Sequence, residues 1–306
     1  MESHFATRFV RPSPEDERRN IQVLLAGASL ELSSRDPAEI DACAGLLEPE
    51  TAVYISMPPG QTYHGTVALA RRLRRAGFCP VPHVAARRIA SRGALDEYLA
   101  RAAGEAGVDS ALVIGGDSER PSGPFESSLA VLETGLFQRH GIVHIGVAGY
   151  PESHPRVAAS ALEMALAAKK SLARRTGLDL HVVTQFCFEA EPVLVWAAKM
   201  KGRGLPVRVG LPGPASLPRL LRFAALCGIG NSVRALKARP RVITRLLVEA
   251  GPEAVVRDIA RRGGPPIAGV HFFCFGGLIR TARWLRAVRE GLFELTGDGS
   301  FRVGAA

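Results

Sequence analysis

The chain has 306 residues, 47% of them hydrophobic and 22% charged, so it can bury a full core and does not read as disordered. Its 39 basic and 29 acidic residues leave a formal charge of +10, but only Lys169, Lys170, Lys199, Lys201 and Lys237 are lysines and the arginines are scattered over most predicted helices. That pattern disfavours a nucleic-acid arm and is better matched by a basic pocket for an anionic ligand.

Residues 1–20, polar and carrying Pro12 and Pro14, read as a loose N-terminal arm with charges where a secretory signal would need an apolar stretch. Apolar, β-branched runs then recur at 21–32, 52–56, 79–86, 110–116, 142–149, 180–186, 206–211 and 267–275. Between them lie stretches with helical spacing at 37–47, 66–76, 94–106, 127–140, 156–176, 189–203, 217–227 and 280–292. Several of these end at a glycine (Gly77, Gly107, Gly141, Gly177, Gly204, Gly228), as helix C-caps do. The segment 230–263 adds one or two helices before the last strand.

Eight strands alternating with eight helices require parallel pairing through right-handed crossovers, and eight is the number that closes a (β/α)8 TIM barrel. An open doubly wound sheet is disfavoured because GASLELSSRD stands where a dinucleotide fingerprint would follow the first strand. No Gly/Ser/Pro linker divides the chain, so residues 21–306 are expected to form one α/β barrel domain. No apolar run is long enough for a membrane helix, and a cytoplasmic protein without membrane or nucleic-acid partners, and with a tendency to self-associate, is expected. Five singly spaced cysteines (Cys43, Cys79, Cys187, Cys227, Cys274) signal neither a disulfide framework nor a metal site.

Barrel enzymes carry their chemistry at the C-terminal ends of the strands. Unusual polar residues fall there: Glu31, Ser56, His83, Asp117 after Gly115-Gly116, then Tyr150, Glu152 and His154 in GYPESHP, Gln185 in VTQF, and His271. Period-two alternation places Ser29 with Glu31, Val113 with Asp117, and Val183 with Gln185. If those faces line the lumen, Glu31, Asp117 and Gln185 meet in one pocket. A buried histidine satisfied by packing is the favoured reading of His181 and His271. On the long helix, Glu163, Leu166 and Lys170 share a stripe, and the pair Lys169-Lys170 either complements the helix dipole or meets a phosphate.

The order SLELSSRD, VPHV, GGD, GYPESHP, TQFCFE resembles the methylenetetrahydrofolate reductases over about residues 21–280, with GYPESHP and TQFCFE its most specific parts. The resemblance implies hydride transfer between a nicotinamide (NADH or NADPH), FAD and the one-carbon bridge of tetrahydrofolate derivatives. It gives Glu31 the role of general acid and places Asp117 near both flavin and pterin. Ser56, His83, Gly116, Tyr150, His154, Glu163, Lys169 and Lys170 fall around FAD, and Gln185, Phe223 and Arg219 at the folate. Departures from the family pattern include Ser33-Ser34, Gly115, Leu166, Lys169, Phe125 and Arg219, and they fall most heavily on the flavin positions. A flavin-independent version of the reaction and a non-catalytic folate-binding barrel are the alternatives.

Overall fold

The computed structural model describes residues 13–32, 37–57, 60–226 and 251–304. Eight strands, β1 (Ser29–Leu32), β2 (Ala52–Ile55), β3 (Cys79–Ala85), β4 (Ser110–Ile114), β5 (His144–Gly149), β6 (Asp179–Phe186), β7 (Val207–Pro212) and β8 (Ile267–Phe273), pair in chain order and close through β8 against β1. Every pairing in the barrel is parallel. The closure joins Ser29 to His271 and Glu31 to Phe273 in register. This is the (β/α)8 barrel that the alternation of elements requires.

Around it run α1 (Pro14–Ala26), α2 (Pro37–Cys43), α3 (Tyr63–Arg75), α4 (Arg92–Ala106), the short α5 (Ser128–Leu132) and α6 (Leu136–Arg139), α7 (Ala159–Thr176), α8 (Ala190–Met200), α9 (Leu217–Leu226), α10 (Glu253–Arg262) and α11 (Leu278–Arg289). Strand residues alternate between two environments. Leu30, Leu32, Val53, Ile55, Val84, Ala111, Val113, Val182, Val209 and Val270 pack outward into the continuous core under the helices. Tyr54, Val81, Leu112 and Val183 form a small separate cluster inside the barrel.

The beginning of the chain differs from the sequence reading. Residues 14–26 are helix, so the arm of 1–20 and the strand beginning at Ile21 are both corrected; residues 1–12 lie outside the described part. Ser13 caps α1 through a reciprocal capping box with Asp16, Pro14 occupies the first turn, and Glu17, Ile21 and Leu25 form one buried stripe at i, i+4, i+8. The twelve-residue apolar run at 21–32 thus contains the end of a helix, a turn at Gly27 and a four-residue strand. Buried Glu17 receives Arg257 and Arg261 of α10, and Arg18 and Arg289 tie α1 to the chain around α11 through backbone carbonyls.

The stretch at 127–140 is likewise two short helices, because Gly135 takes a left-handed φ of 72° between them. Gly77, Gly107, Gly141, Gly177 and Gly204 do adopt left-handed backbone at the predicted helix ends, while Gly228 lies outside the described residues. Of the extra segment, α10 is described and 227–250 is not. A hairpin, β9 (Phe293–Leu295) with β10 (Phe301–Val303), follows the barrel and has no counterpart in the sequence reading. Cys43, Cys79, Cys187 and Cys274 are free thiols. Among the described residues no helix is long and apolar enough to cross a membrane.

Candidate functional site

Inside the barrel, the inward parity of β1 puts Ser29 and Glu31 on the lumen side, opposite the outward Leu30 and Leu32. Glu31 Oε2 lies 3.4 Å from His83 Nε2 of β3 and 3.6 Å from His271 Nε2 of β8. All three atoms are buried and none makes a hydrogen bond. Buried polar atoms are normally paired, so three unpaired ones converging on a single point mark a site rather than a packing solution. Ser29 Oγ and His271 Nδ1 stand 3.0 Å apart behind them.

Deeper in the lumen, Tyr54 OH and His181 Nε2 are 3.0 Å apart. Gly146 of β5 makes room for that imidazole, since a Cβ there would stand 3.0 Å from both His181 Nε2 and Leu112 Cδ1. The Tyr54 ring meets His271 edge-on at 4.5 Å, and Arg208 on β7 donates to the Gly27 carbonyl at 2.7 Å.

Burial sets the electrostatics. Loss of hydration raises the Glu31 carboxyl above the ordinary carboxylate range, partly offset by His83. The same loss holds His83 low, and with the positive charge of Arg208 it brings His271 down to about 3 and His181 to about 4. At neutral pH the lumen therefore holds uncharged imidazoles around a carboxyl group biased toward its acid form.

Asp117 is placed differently from the sequence expectation. On β4 it is Leu112 and Ile114 that face inward, while Val113 packs outward, so the parity that joined Val113 to Asp117 points away from the lumen. Asp117 stands past the strand end, 69% exposed, with its carboxylate 2.8 Å from Arg88 Nη2. Gly116 before it has φ 89°, and a Cβ there would touch the Ala85 side chain at 3.4 Å. Gln185 is half-buried within the irregular stretch of the β6–β7 pairing between Val183 and Phe186. The three acid and amide groups do not form one hydrogen-bonded pocket: Glu31 meets the two histidines instead.

At the C-terminal ends of β6 and β8 an aromatic wall rises. Phe186 packs edge-on against Phe188, Phe273 and Phe275, and Phe223 stacks on Phe275 at 4.4 Å and 16°. Arg219, exposed on α9, donates to the Phe275 carbonyl at 3.4 Å. The wall reaches the lumen cluster through Phe273, whose ring lies edge-on to His271 at 4.9 Å. On the opposite side, Arg87 fastens the long loop after β4 by donating to the carbonyls of Ser118, Glu119 and Glu126.

The remaining sequence candidates lie outside the lumen cluster, apart from His83. The Ser56 hydroxyl donates to the Leu32 carbonyl at 3.0 Å. Tyr150 and His154 pack edge-on at 5.0 Å, and His154 Nδ1 accepts the Arg156 amide. Glu163 pairs with Arg203 at 3.5 Å, and Lys170 Nζ donates to the Arg203 carbonyl. Lys169 is half-buried on the inward side of α7, and burial lowers its pKa.

Sequence reasoning undervalued His271 and His181, and it did not single out Tyr54, Arg208 or Arg88. Parity alone could have flagged His271, two residues from Phe273 on the same face. Tyr54 and Arg208 look like ordinary strand and surface residues until the barrel closes over them.

No family profile matches this chain. Among solved structures, it overlaps a tryptophan synthase alpha-subunit from Pyrococcus furiosus at 12% identity, covering 86% of this chain and 89% of that one with a TM-score of 0.44. A dihydropteroate synthase from Thermus thermophilus overlaps at 16% identity, 87% and 92% coverage and a TM-score of 0.42. A 3-dehydroquinate dehydratase from Geobacillus kaustophilus gives 13% identity, 63% and 76% coverage and a TM-score of 0.39. Overlaps this loose transfer no activity to the chain, whose barrel rests on its own strand pairing.

Proposed function

We propose that this protein is an oxidoreductase that interconverts methylenetetrahydrofolate and methyltetrahydrofolate, with Glu31 as the general acid. The observation that carries the reading is a buried carboxyl group, raised toward its acid form by loss of hydration, on the lumen face at the end of β1. A proton donor working near neutral pH needs that kind of environment.

In the reductive direction, Glu31 gives its proton to the folate nitrogen whose bond to the bridging carbon opens. That carbon becomes an iminium, and a hydride with its electron pair moves onto it from a reduced nicotinamide, leaving a methyl group and oxidised nicotinamide. Glu31, now a carboxylate, regains a proton from solvent. The aromatic wall of Phe186, Phe223, Phe273 and Phe275 offers an apolar flank for a bicyclic ring beside the acid. Half-buried Gln185, next to Phe186 of that wall, supplies a polar group for the pterin edge.

The residues present give the FAD implied by the family resemblance few unengaged charged contacts. Ser56 and Lys170 spend their polar groups on backbone carbonyls, and Glu163 pairs with Arg203. Of the two lysines at the phosphate positions, Lys170 already gives one donor to the Arg203 carbonyl. No step here runs through flavin.

The test is oxidation of NADH or NADPH dependent on methylenetetrahydrofolate, and the reverse with methyltetrahydrofolate, in wild-type and Glu31→Gln protein. Wild-type turnover that falls by about 10²-fold or more in the variant, with folate still bound, supports the reading. No turnover in either direction, or unchanged turnover in Glu31→Gln, rejects it.

A further inference from the structure

The arrangement behind Glu31 assigns a job to two residues that the reaction as written does not use. Ser29 is fully buried, and the partner of its hydroxyl among the described residues is His271 Nδ1 at 3.0 Å. A buried hydroxyl donor must find an acceptor, so Ser29 donates and Nδ1 accepts. A neutral imidazole that accepts at Nδ1 carries its proton at Nε2. That Nε2 faces Glu31 Oε2 at 3.6 Å, and His83 Nε2 faces the same oxygen at 3.4 Å.

We propose that Ser29 and His271 are positioning residues: Ser29 fixes the His271 tautomer with the proton on Nε2, and that N–H, aimed at Glu31 Oε2, leaves Oε1 as the oxygen that carries the transferable proton. The inference deepens the reading of Glu31 as general acid and rests on it for its purpose, while the tautomer itself stands on geometry alone. The consequence is chemical. An N–H that faces Oε2 at 3.6 Å, too far for a hydrogen bond in this structure, does not compete for the acidic proton, and as that proton leaves Oε1 the developing carboxylate draws the N–H into one.

The groups facing this carboxyl are His83 from β3, His271 from β8 and the ring of Tyr54 from β2. Arg208 from β7 acts on His271 and on His181 behind it, and Cys274 follows the end of β8. Arg208, the one cation in this set, works against charging His271. A neutral imidazole in a defined tautomer is therefore the state the surroundings favour.

The experiment is long-range proton–nitrogen NMR on full-length protein labelled with nitrogen-15 histidine, with His271→Gln used to assign its signals. Wild-type His271 should be uncharged at neutral pH, with Nε2 protonated and Nδ1 bare, and Ser29→Ala should convert this to a tautomer mixture. Ser29→Thr, which keeps the hydroxyl, should restore the wild-type pattern. In turnover, Ser29→Ala should lower kcat about tenfold, a fraction of what a general acid supplies, leave KM for folate within about twofold, and move the descending limb of the pH profile. Ser29→Thr should recover most of the loss.

A bare Nε2 or a charged His271 in the wild-type spectrum overturns the inference, and that spectrum needs no variant to fold. An intact tautomer in a protein with no folate turnover would reject the proposed function and leave the Ser29–His271 assignment standing. Turnover with the opposite tautomer would do the reverse.

Discussion

Acidification should destabilise this barrel through its lumen histidines, and His271→Gln isolates one of their contributions. His271 is fully buried, and lost hydration with the nearby Arg208 charge brings its pKa from 6.5 to about 3. Because the folded value is depressed, the unfolded chain takes up a proton that the folded chain refuses. The stabilisation is therefore complete above about pH 6.5 and is lost as the pH falls toward the folded value. Between about pH 7 and 5, one such group costs about 2 kcal/mol. His181, brought to about 4, adds a similar amount. Urea unfolding at both pH values, for wild-type and His271→Gln protein, gives a difference in which the carboxylate contributions largely cancel. The pH-dependent loss should be smaller by about 2 kcal/mol in the variant. Equal losses, within about 0.5 kcal/mol, would mean that folded His271 accepts the proton as an imidazolium beside a Glu31 carboxylate, and the neutral lumen would be refuted.

Four other experiments probe neighbouring parts of the molecule. Glu31→Gln should raise the urea midpoint at neutral pH, since the folded state no longer has to keep a buried carboxyl protonated while the unfolded one ionises freely; an unchanged or lower midpoint counts against the raised pKa. Gly146→Ala should cost about 1–3 kcal/mol by denaturant unfolding, because its Cβ crowds His181 and Leu112 at 3.0 Å. Glu17→Ala leaves Arg257, whose side chain is only 12% exposed, with two backbone carbonyls but no carboxylate, and should cost about 3 kcal/mol in the same measurement. Protein mixed with FAD and then desalted should show no flavin absorbance, whereas bands retained at one equivalent would contradict the fit found for Ser56, Glu163 and Lys170.

Much of the barrel was legible because it rests on local signals. Seven of the eight strand candidates, all but the first, have their counterparts within a few residues, since each is a short β-branched run bounded by polar or glycine-rich turns. The first failed because the apolar run at 21–32 spans two periods: Ile21 and Leu25 answer to a helical stripe and Ser29 and Glu31 to a strand. The helix at 127–140 failed at Gly135, a residue that propensity tolerates until its φ is seen to be positive. Glu31 was found because a carboxylate inside SLEL violates the apolar pattern of its surroundings. His271 violates its own pattern as strongly, yet a lone histidine in a strand has a bland explanation.

The sequence by itself determined the alternation of elements, the closed parallel sheet that alternation demands, and the shared face of Ser29 and Glu31. Only the tertiary structure decided which groups share that interior. Glu31 and His271 are 240 residues apart and meet because β8 closes on β1, and Asp117 leaves the set because β4 presents its other face inward. A strand's alternation is a property of its own backbone, whereas the register between strands, and with it the partner of every inward side chain, is settled only when the last edge finds the first.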